Sequence, residues 1–378
     1  MKAALSFSGC HRRGGVERIL FECARFLASR QHDVTVFASE WEEDSTQPIR
    51  YHYVPMRRQP GFLRGASYFQ ACTQELTGFS YDVLNTHGCI CPVGGVHWVQ
   101  SIHASWLERS KQLRAPLSLS RLKQRLNPLH PVLLRMEARH FRDRSYRKII
   151  ATTWDVRDDL KRFYGVPEDD VVVIPNGFSP TEFNPERRLT RRDEMRRKLG
   201  LSPEHIALLF VANELERKGY PTILEALTRL KRPDIRLLVV GRASTITVEQ
   251  QAARRGLSEQ VIACGSTQDV SAFHAAGDLF VLPTQYEAFC LAILEALGSG
   301  LPVVTSMVPG ARDAIQPGIN GALIADPRNG EELAEALLPL LDRERRETFA
   351  AQASETVRPY QWPVVLERYE RVLLDHCS

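Results

Sequence analysis

Short apolar runs recur along the chain, each closed by a polar or glycine-bearing loop and followed by residues at helical spacing. The run Leu279–Leu282 stops at Pro283, as a strand buried on both faces should. Leu291, Leu294 and Leu297 lie three apart and give one apolar face of a helix. Gly298 and Gly300 end that helix, and residues 301–305 open the next strand. The same alternation predicts strands over 3–8, 33–38, 81–87, 95–103, 147–153 and 171–178, then over 206–212, 235–241 and 261–267. Strands alternating with helices imply an α/β protein with parallel sheets.

The first strand leads into a loop over 9–15. A helix follows with Val16, Ile19, Leu20, Cys23, Phe26 and Leu27 on one face, and then the strand 33–38. This is a Rossmann-like unit. It has no G-x-G-x-x-G, so a tightly bound dinucleotide is not indicated. Gly14 and Gly15 permit a tight turn, a close approach of backbone to a ligand, or both. Residues 180–203 are polar, arginine-rich and punctuated by Pro185 and Pro203; they read as a linker with a short helix, and so as a domain boundary. The length, 378 residues, suits two domains of ordinary size. Trp362, Val365, Leu366, Tyr369, Val372 and Leu373 predict a last amphipathic helix.

Composition adds little except in one place. Hydrophobic content of 43% and charged content of 25% are those of a globular protein, and the net charge of +4 is mild. Residues 107–148, however, carry twelve Lys or Arg against three acids. Leu117, Leu119, Leu122, Leu126, Leu129, Leu133 and Leu134 are interleaved with these bases. Two readings stay open. A basic helix with a leucine face can lie on an anionic lipid surface, where each base contributes about 1 kcal/mol. Alternatively the bases are solvated and the leucines pack inward. Nucleic acid is disfavoured as a partner, because no aromatic platform or helix-turn-helix pattern accompanies the bases. The eight cysteines form no C-x-x-C pair and no His spacing suggests zinc, so they read as reduced thiols of a cytoplasmic protein. No signal peptide and no run of 18 apolar residues is evident. The expected location is cytoplasmic, with peripheral attachment to the inner face of the membrane if 107–148 binds lipid.

The candidate chemistry lies around the run 279–305. Glu287 sits in the loop before the predicted helix and Glu295 about one and a half turns inside it. Between them lie the unpaired amides of the helix start, around Phe289, Cys290 and Leu291, which favour an anion. A nucleotide-sugar fits this arrangement: its diphosphate is the anion, and its sugar and ribose hydroxyls can each meet a carboxylate. The two glutamates alone would better suit a loop residue and a solvated helix residue; the strand–loop–helix–strand context is what favours the ligand reading. Arg217 and Lys218, in the loop after the predicted strand 206–212, are suited to neutralise a diphosphate. His87, His97 and His103 lie near predicted strand ends, where α/β sheets bind ligands.

Glu287 and Glu295, with Ala288-Phe289 after the first and Ala-Leu-Gly-Ser-Gly-Leu-Pro-Val-Val after the second, resemble the E-x7-E motif of the retaining glycosyltransferases of family four. The arginine-rich insert resembles that of the lipopolysaccharide core glucosyltransferases within that family. The resemblance implies a GT-B fold: two Rossmann-like domains with parallel sheets facing a cleft. It places an acceptor-side domain at 1–183, completed by the helix 362–378, and a nucleotide-sugar domain at 200–358. It implies hexose transfer from a nucleoside-diphosphate sugar, expected to be a UDP-sugar, to a glycan or glycolipid of the cell envelope. Neither a cofactor nor a metal is expected. In that reading Glu295 holds the ribose and Glu287 the sugar hydroxyls. Lys218 and Arg217 neutralise the leaving diphosphate beside Phe289, Cys290 and Leu291. His103 holds the sugar, and Gly14 and Gly15 face the diphosphate and acceptor. Two departures stand out: Cys290 replaces a usual glycine, and Ala212-Asn213 replaces a usual Gly-Arg pair. They support one alternative, a GT-B protein that binds nucleotide-sugar or glycan without turnover; a further alternative is an isomerase of the nucleotide-sugar itself.

Overall fold

The computed structural model describes residues 1–112, 114 and 119–377. Leu117 therefore lies outside the described residues. The chain divides into two compact units, one of Met1–Asn176 with Trp362–Ser378, the other of Gly177–Gln361.

The first unit is built on Lys2–Ser6 (β1), Asp33–Ala38 (β2), Ile49–Tyr53 (β3), Val83–His87 (β4), Val96–Val99 (β5), Lys148–Ala151 (β6) and Val171–Val173 (β7). They form one parallel sheet in the order β3-β2-β1-β4-β5-β6-β7. Leu5 is in register with Val36 on one side and Asn85 on the other, so β1 is central and its residues 3–6 are buried. The helix Val16–Ser29 packs Ile19, Leu20, Cys23 and Leu27 onto this sheet. The C-terminal helix Trp362–Leu374 joins the same core through Trp362, Val365, Leu366, Tyr369 and Leu373. Tyr369 donates from its hydroxyl to Asn85 Oδ1 at 2.9 Å, which gives the buried hydroxyl an acceptor inside the core.

The second unit repeats the plan with Ile206–Val211 (β8), Ile235–Val240 (β9), Val261–Gly265 (β10), Leu279–Leu282 (β11), Val303–Ser306 (β12) and Gly321–Ile324 (β13). The order is β10-β9-β8-β11-β12-β13, again all parallel. Every residue of β11 and β12 is buried, as helices on both faces of a parallel sheet require. In both sheets the order reverses beside the first strand, between β1 and β4 and between β8 and β11. Loops at such a reversal splay apart and leave room for a ligand at the carboxyl ends of the strands.

Two expectations are corrected here. The arginine-rich segment 180–203 is not mainly a linker. Fourteen of its residues form the helix Pro185–Lys198, which belongs to the second unit. Asn184 caps it by accepting from the Arg187 amide at 2.8 Å, and Pro185 fills its first turn. Arg192 and Arg196 meet Asp278 at 2.5 and 3.1 Å, and Arg188 donates to the Gly277 carbonyl at 2.8 Å. Secondly, the strand predicted over 95–103 ends at Val99, and His103 is the first residue of the helix His103–Gln112.

Within the basic stretch, Leu119–Leu126 and Leu129–Phe141 are helices. Leu119, Leu122 and Leu126 are 76%, 51% and 71% exposed, so the leucines of the first helix do not pack inward. No helix among the described residues is long and apolar enough to cross a membrane.

Candidate active site

The loops after β8 and β11 meet at the reversal of the second sheet. Gly219, at φ 84°, ends the first loop and caps the helix Tyr220–Leu230. A Cβ there would lie 2.1 Å from the Pro283 carbonyl oxygen, so only glycine lets the two loops close on each other. Backbone then fastens them: the Gln285 amide donates to the Arg217 carbonyl at 2.9 Å. Thr284, fully buried, reaches the Tyr286 carbonyl from its hydroxyl at 3.2 Å.

This junction brings Arg217, Lys218 and Glu287 together. Lys218 Nζ bonds Glu287 Oε2, and Arg217 Nη1 lies 3.6 Å from the same oxygen. Arg217 also donates to the Tyr286 carbonyl at 2.8 Å, and forks onto Glu214 at 3.1 and 2.9 Å. Two cations thus converge on one carboxylate, with a second carboxylate behind. Burial alone would pull Lys218 down, but negative charge on Cys290, once its thiol ionises, and on Glu287 outweighs it and raises the ammonium above its ordinary range. For Arg217, too, burial is outweighed, by the bond to Glu214 and the charge on Glu287. Both side chains are therefore cations at neutral pH.

Cys290 is the N-cap of the helix Leu291–Gly298. Its thiol is buried, and burial pushes it up to about 11 against the opposing pull of Lys218 and the Ile293 and Ala292 amides. A neutral thiol therefore stands at the helix start, beside the Lys218 cation. Phe289 is buried beneath Gly310, whose φ of 68° and 2.9 Å approach to the Phe289 ring leave no room for a Cβ. Leu291 begins the helix, and Glu295 is buried one turn further in. Asn213, where an arginine was expected, has a structural task. Its Oδ1 accepts from the Arg242 amide at 3.0 Å and ties the loop after β8 to the loop after β9.

The remaining candidates lie in the first unit. Gly14, at φ 119°, and Gly15, the N-cap of Val16–Ser29, are exposed in the loop after β1. A Cβ on Gly14 would come within 2.6 Å of Glu17 Oε2. His103 is half-buried, stacked on Trp106 at 5.5 Å, with Nε2 3.1 Å from His130 Nδ1. Burial, aided by His130, pushes its pKa down to about 4, so the ring is neutral near pH 7. The rivals are core residues. His87 bonds Asn85 Oδ1 at 2.8 Å and His97 meets Thr86 Oγ1 at 2.6 Å, both fully buried.

Sequence reasoning missed Glu214, the Tyr286 carbonyl, His130 and Glu137. Glu214 carried a local signal, standing three residues before Arg217. His130 and Glu137 carried none, being a histidine and an acid among many bases. The cysteines are free thiols, and among the described residues no cluster of three or more His, Cys, Asp or Glu side chains could hold a metal ion.

Two family models match the chain: "Glycosyltransferase Family 4" over residues 13–182 and "Glycosyl transferases group 1" over 191–356. The chain is 27% identical over 327 residues to the lipopolysaccharide glucosyltransferase WaaG of Escherichia coli K12, spanning 86% of this chain and 85% of that one. The crystal structure of WaaG, a glycosyltransferase involved in lipopolysaccharide biosynthesis, superposes with a TM-score of 0.82 at 24% identity, over 98% of this chain and 99% of the other. HepE of Anabaena, solved in complex with UDP-glucose, gives 0.75 at 19% identity, over 99% and 100%. Both relatives share the fold of two parallel-sheet units, and the matched regions contain the loops after β8 and β11. The chain belongs to the glycosyltransferases of family four.

Proposed function

We propose that the protein transfers a hexose from a nucleoside-diphosphate sugar, with UDP as the nucleotide, to a glycan or glycolipid acceptor of the cell envelope, with retention at the anomeric carbon. One observation carries the reading. The two loops at the reversal of the second sheet gather Arg217, Lys218 and Glu287 beside the start of the helix Leu291–Gly298. That is a set of cations and amides for a diphosphate next to a carboxylate for sugar hydroxyls. The relation to WaaG supports the class of acceptor, and HepE bound to UDP-glucose supports the donor.

In the structure Lys218 and Glu287 neutralise each other. Donor binding exchanges these partners. The diphosphate takes Lys218 and Arg217, and Glu287 is released to accept hydrogen bonds from the sugar. As the glycosidic bond to phosphate breaks, negative charge grows on the diphosphate, and the two cations with the helix amides stabilise it where it grows. Glu295 holds the ribose. From the first unit, His103 is assigned to the sugar, and Gly14 and Gly15 to the diphosphate and acceptor. Because cations and amides supply the charge, chelation of divalent metal leaves turnover unchanged. The Leu119–Leu126 helix, with its outward leucines and Arg121, Lys123 and Arg125, holds the protein on anionic lipid. Flotation with phosphatidylglycerol vesicles should fall when the three leucines become serine; unchanged flotation removes this part of the proposal.

A thermal-shift screen of UDP-, GDP- and ADP-sugars tests the donor. UDP-sugars should raise Tm, and Lys218→Ala should abolish the shift. A shift with GDP- or ADP-sugars alone corrects the nucleotide. Binding without release of nucleotide, with lipid acceptors supplied, favours the non-catalytic alternative, and donor conversion without acceptor favours the isomerase.

A further inference from the structure

The helix Leu129–Phe141 holds the helix that begins at His103 in two independent ways. Glu137, 2% exposed, accepts from the backbone amides of His103 and Ala104, the second at 3.2 Å, and from the Tyr164 hydroxyl at 2.6 Å. A buried carboxylate is tolerated only when donors surround it, and these three do so. It is therefore the cap of the His103–Gln112 helix, supplied from 34 residues away in sequence rather than from the preceding residue. Seven residues before Glu137, and so on the same face of its helix, His130 places Nδ1 3.1 Å from His103 Nε2. Both rings lie against Trp106, at 5.5 and 5.7 Å.

Two imidazole nitrogens at this distance need one N–H and one lone pair between them. Two protonated rings would present two donors and repel. The contact therefore couples the tautomer of one ring to that of the other and occupies His103 Nε2, so that Nδ1 is the ring atom left to meet a substrate hydroxyl. We propose that His130 and Glu137 are positioning residues for His103, His130 fixing the tautomer and orientation of its ring and Glu137 fixing its backbone. The proposal rests on the assignment of His103 to the sugar. It gives the basic segment, beyond any contact with lipid, a task in the reaction.

The test is long-range 1H–15N correlation of histidine side chains in the full chain, beside steady-state kinetics. Wild-type His103 should show one neutral tautomer at pH 7. In His130→Leu it should average between tautomers, and kcat should fall on the order of tenfold, the scale of one lost hydrogen bond, with donor KM unchanged. His130→Asn should recover both, because the asparagine amide sits where Nδ1 was. In Glu137→Gln the His103 and Ala104 amide resonances should move upfield. An unchanged His103 spectrum in His130→Leu, or equal behaviour of the Leu and Asn variants, overturns the role of His130. Unmoved amides overturn that of Glu137. If His103→Ala leaves turnover intact, the assignment of His103 falls, whereas the tautomer measurement still decides whether the pair exists.

Discussion

Lys218 stands where burial, charge and function meet. Its ammonium is largely buried against Glu287; removing Lys218 leaves that carboxylate only the more distant Arg217, and removing the carboxylate leaves two cations side by side. Lys218→Ala and Glu287→Gln should each lower kcat roughly 100- to 1,000-fold, the cost of losing one group aimed at developing charge, measured with saturating donor. A loss under tenfold in both would remove them from the reaction. Gly219 makes a separate prediction. With φ at 84° and 2.1 Å between a built Cβ and the Pro283 oxygen, Gly219→Ala should destabilise the second unit by about 2 kcal/mol or more, read from urea unfolding. At this scale the sequence made the chemistry legible but not the partners. Glu287, Lys218 and Arg217 were visible as residue types in the right loops. That Glu287 neutralises Lys218, and that Glu214 and the Tyr286 carbonyl hold Arg217, depends on two loops far apart in sequence meeting at Gly219 and Pro283.

Among the elements, the helix Pro185–Lys198 shows how arginine content misleads. Its arginine-rich stretch read as a linker with a short helix, yet Arg196 is buried and bonds Asp278 and the Ser202 and His205 carbonyls. Burial alone would raise Asp278, but Arg192, the Ala207 amide and Arg196 outweigh it and hold its pKa below the ordinary carboxylate range. Arg196→Ala should cost roughly 1 to 3 kcal/mol by denaturant unfolding, since it leaves Asp278 with Arg192 alone and takes the donor from the Ser202 and His205 carbonyls. A cost below 1 kcal/mol would show that the helix is not anchored there. The start of the helix at His103 was illegible for a related reason: its cap, Glu137, comes from a distant helix, so the local sequence has no N-cap signal. The strand Ile49–Tyr53 was missed because it lies at a sheet edge and is only half-buried, so Arg50 and His52 break the apolar run. The buried strands β8, β9 and β11 announced themselves as continuous apolar runs.

At the scale of the whole molecule, two sheets of like topology were legible because the apolar periodicity repeats. The return of the last helix to the first unit was expected from the family resemblance and not from its periodicity, because an amphipathic face does not state what it packs on. The fold also buries histidines in the neutral form. Burial pushes His87 down to about 3 and His140 and His274 down to about 4, against 6.5 when unfolded. The unfolded chain therefore binds more protons between pH 6.5 and 4, and the stability these residues contribute above pH 6.5 is lost as pH falls through that window. Each should cost roughly 2 kcal/mol by pH 5, visible as a falling Tm between pH 7 and pH 5; a flat Tm would mean the rings are not buried neutral. The central claim is glycosyl transfer at the Lys218–Glu287 site. Its most direct test is an NMR time course of the purified chain with UDP-glucose and a lipopolysaccharide core acceptor, run beside Glu287→Gln. The account predicts release of UDP with an α-linked product from the wild type and almost none from the variant. A β-linked product would contradict retention. Equal turnover in the variant, or no nucleotide released from any UDP-, GDP- or ADP-sugar, would contradict the assigned site or the activity itself.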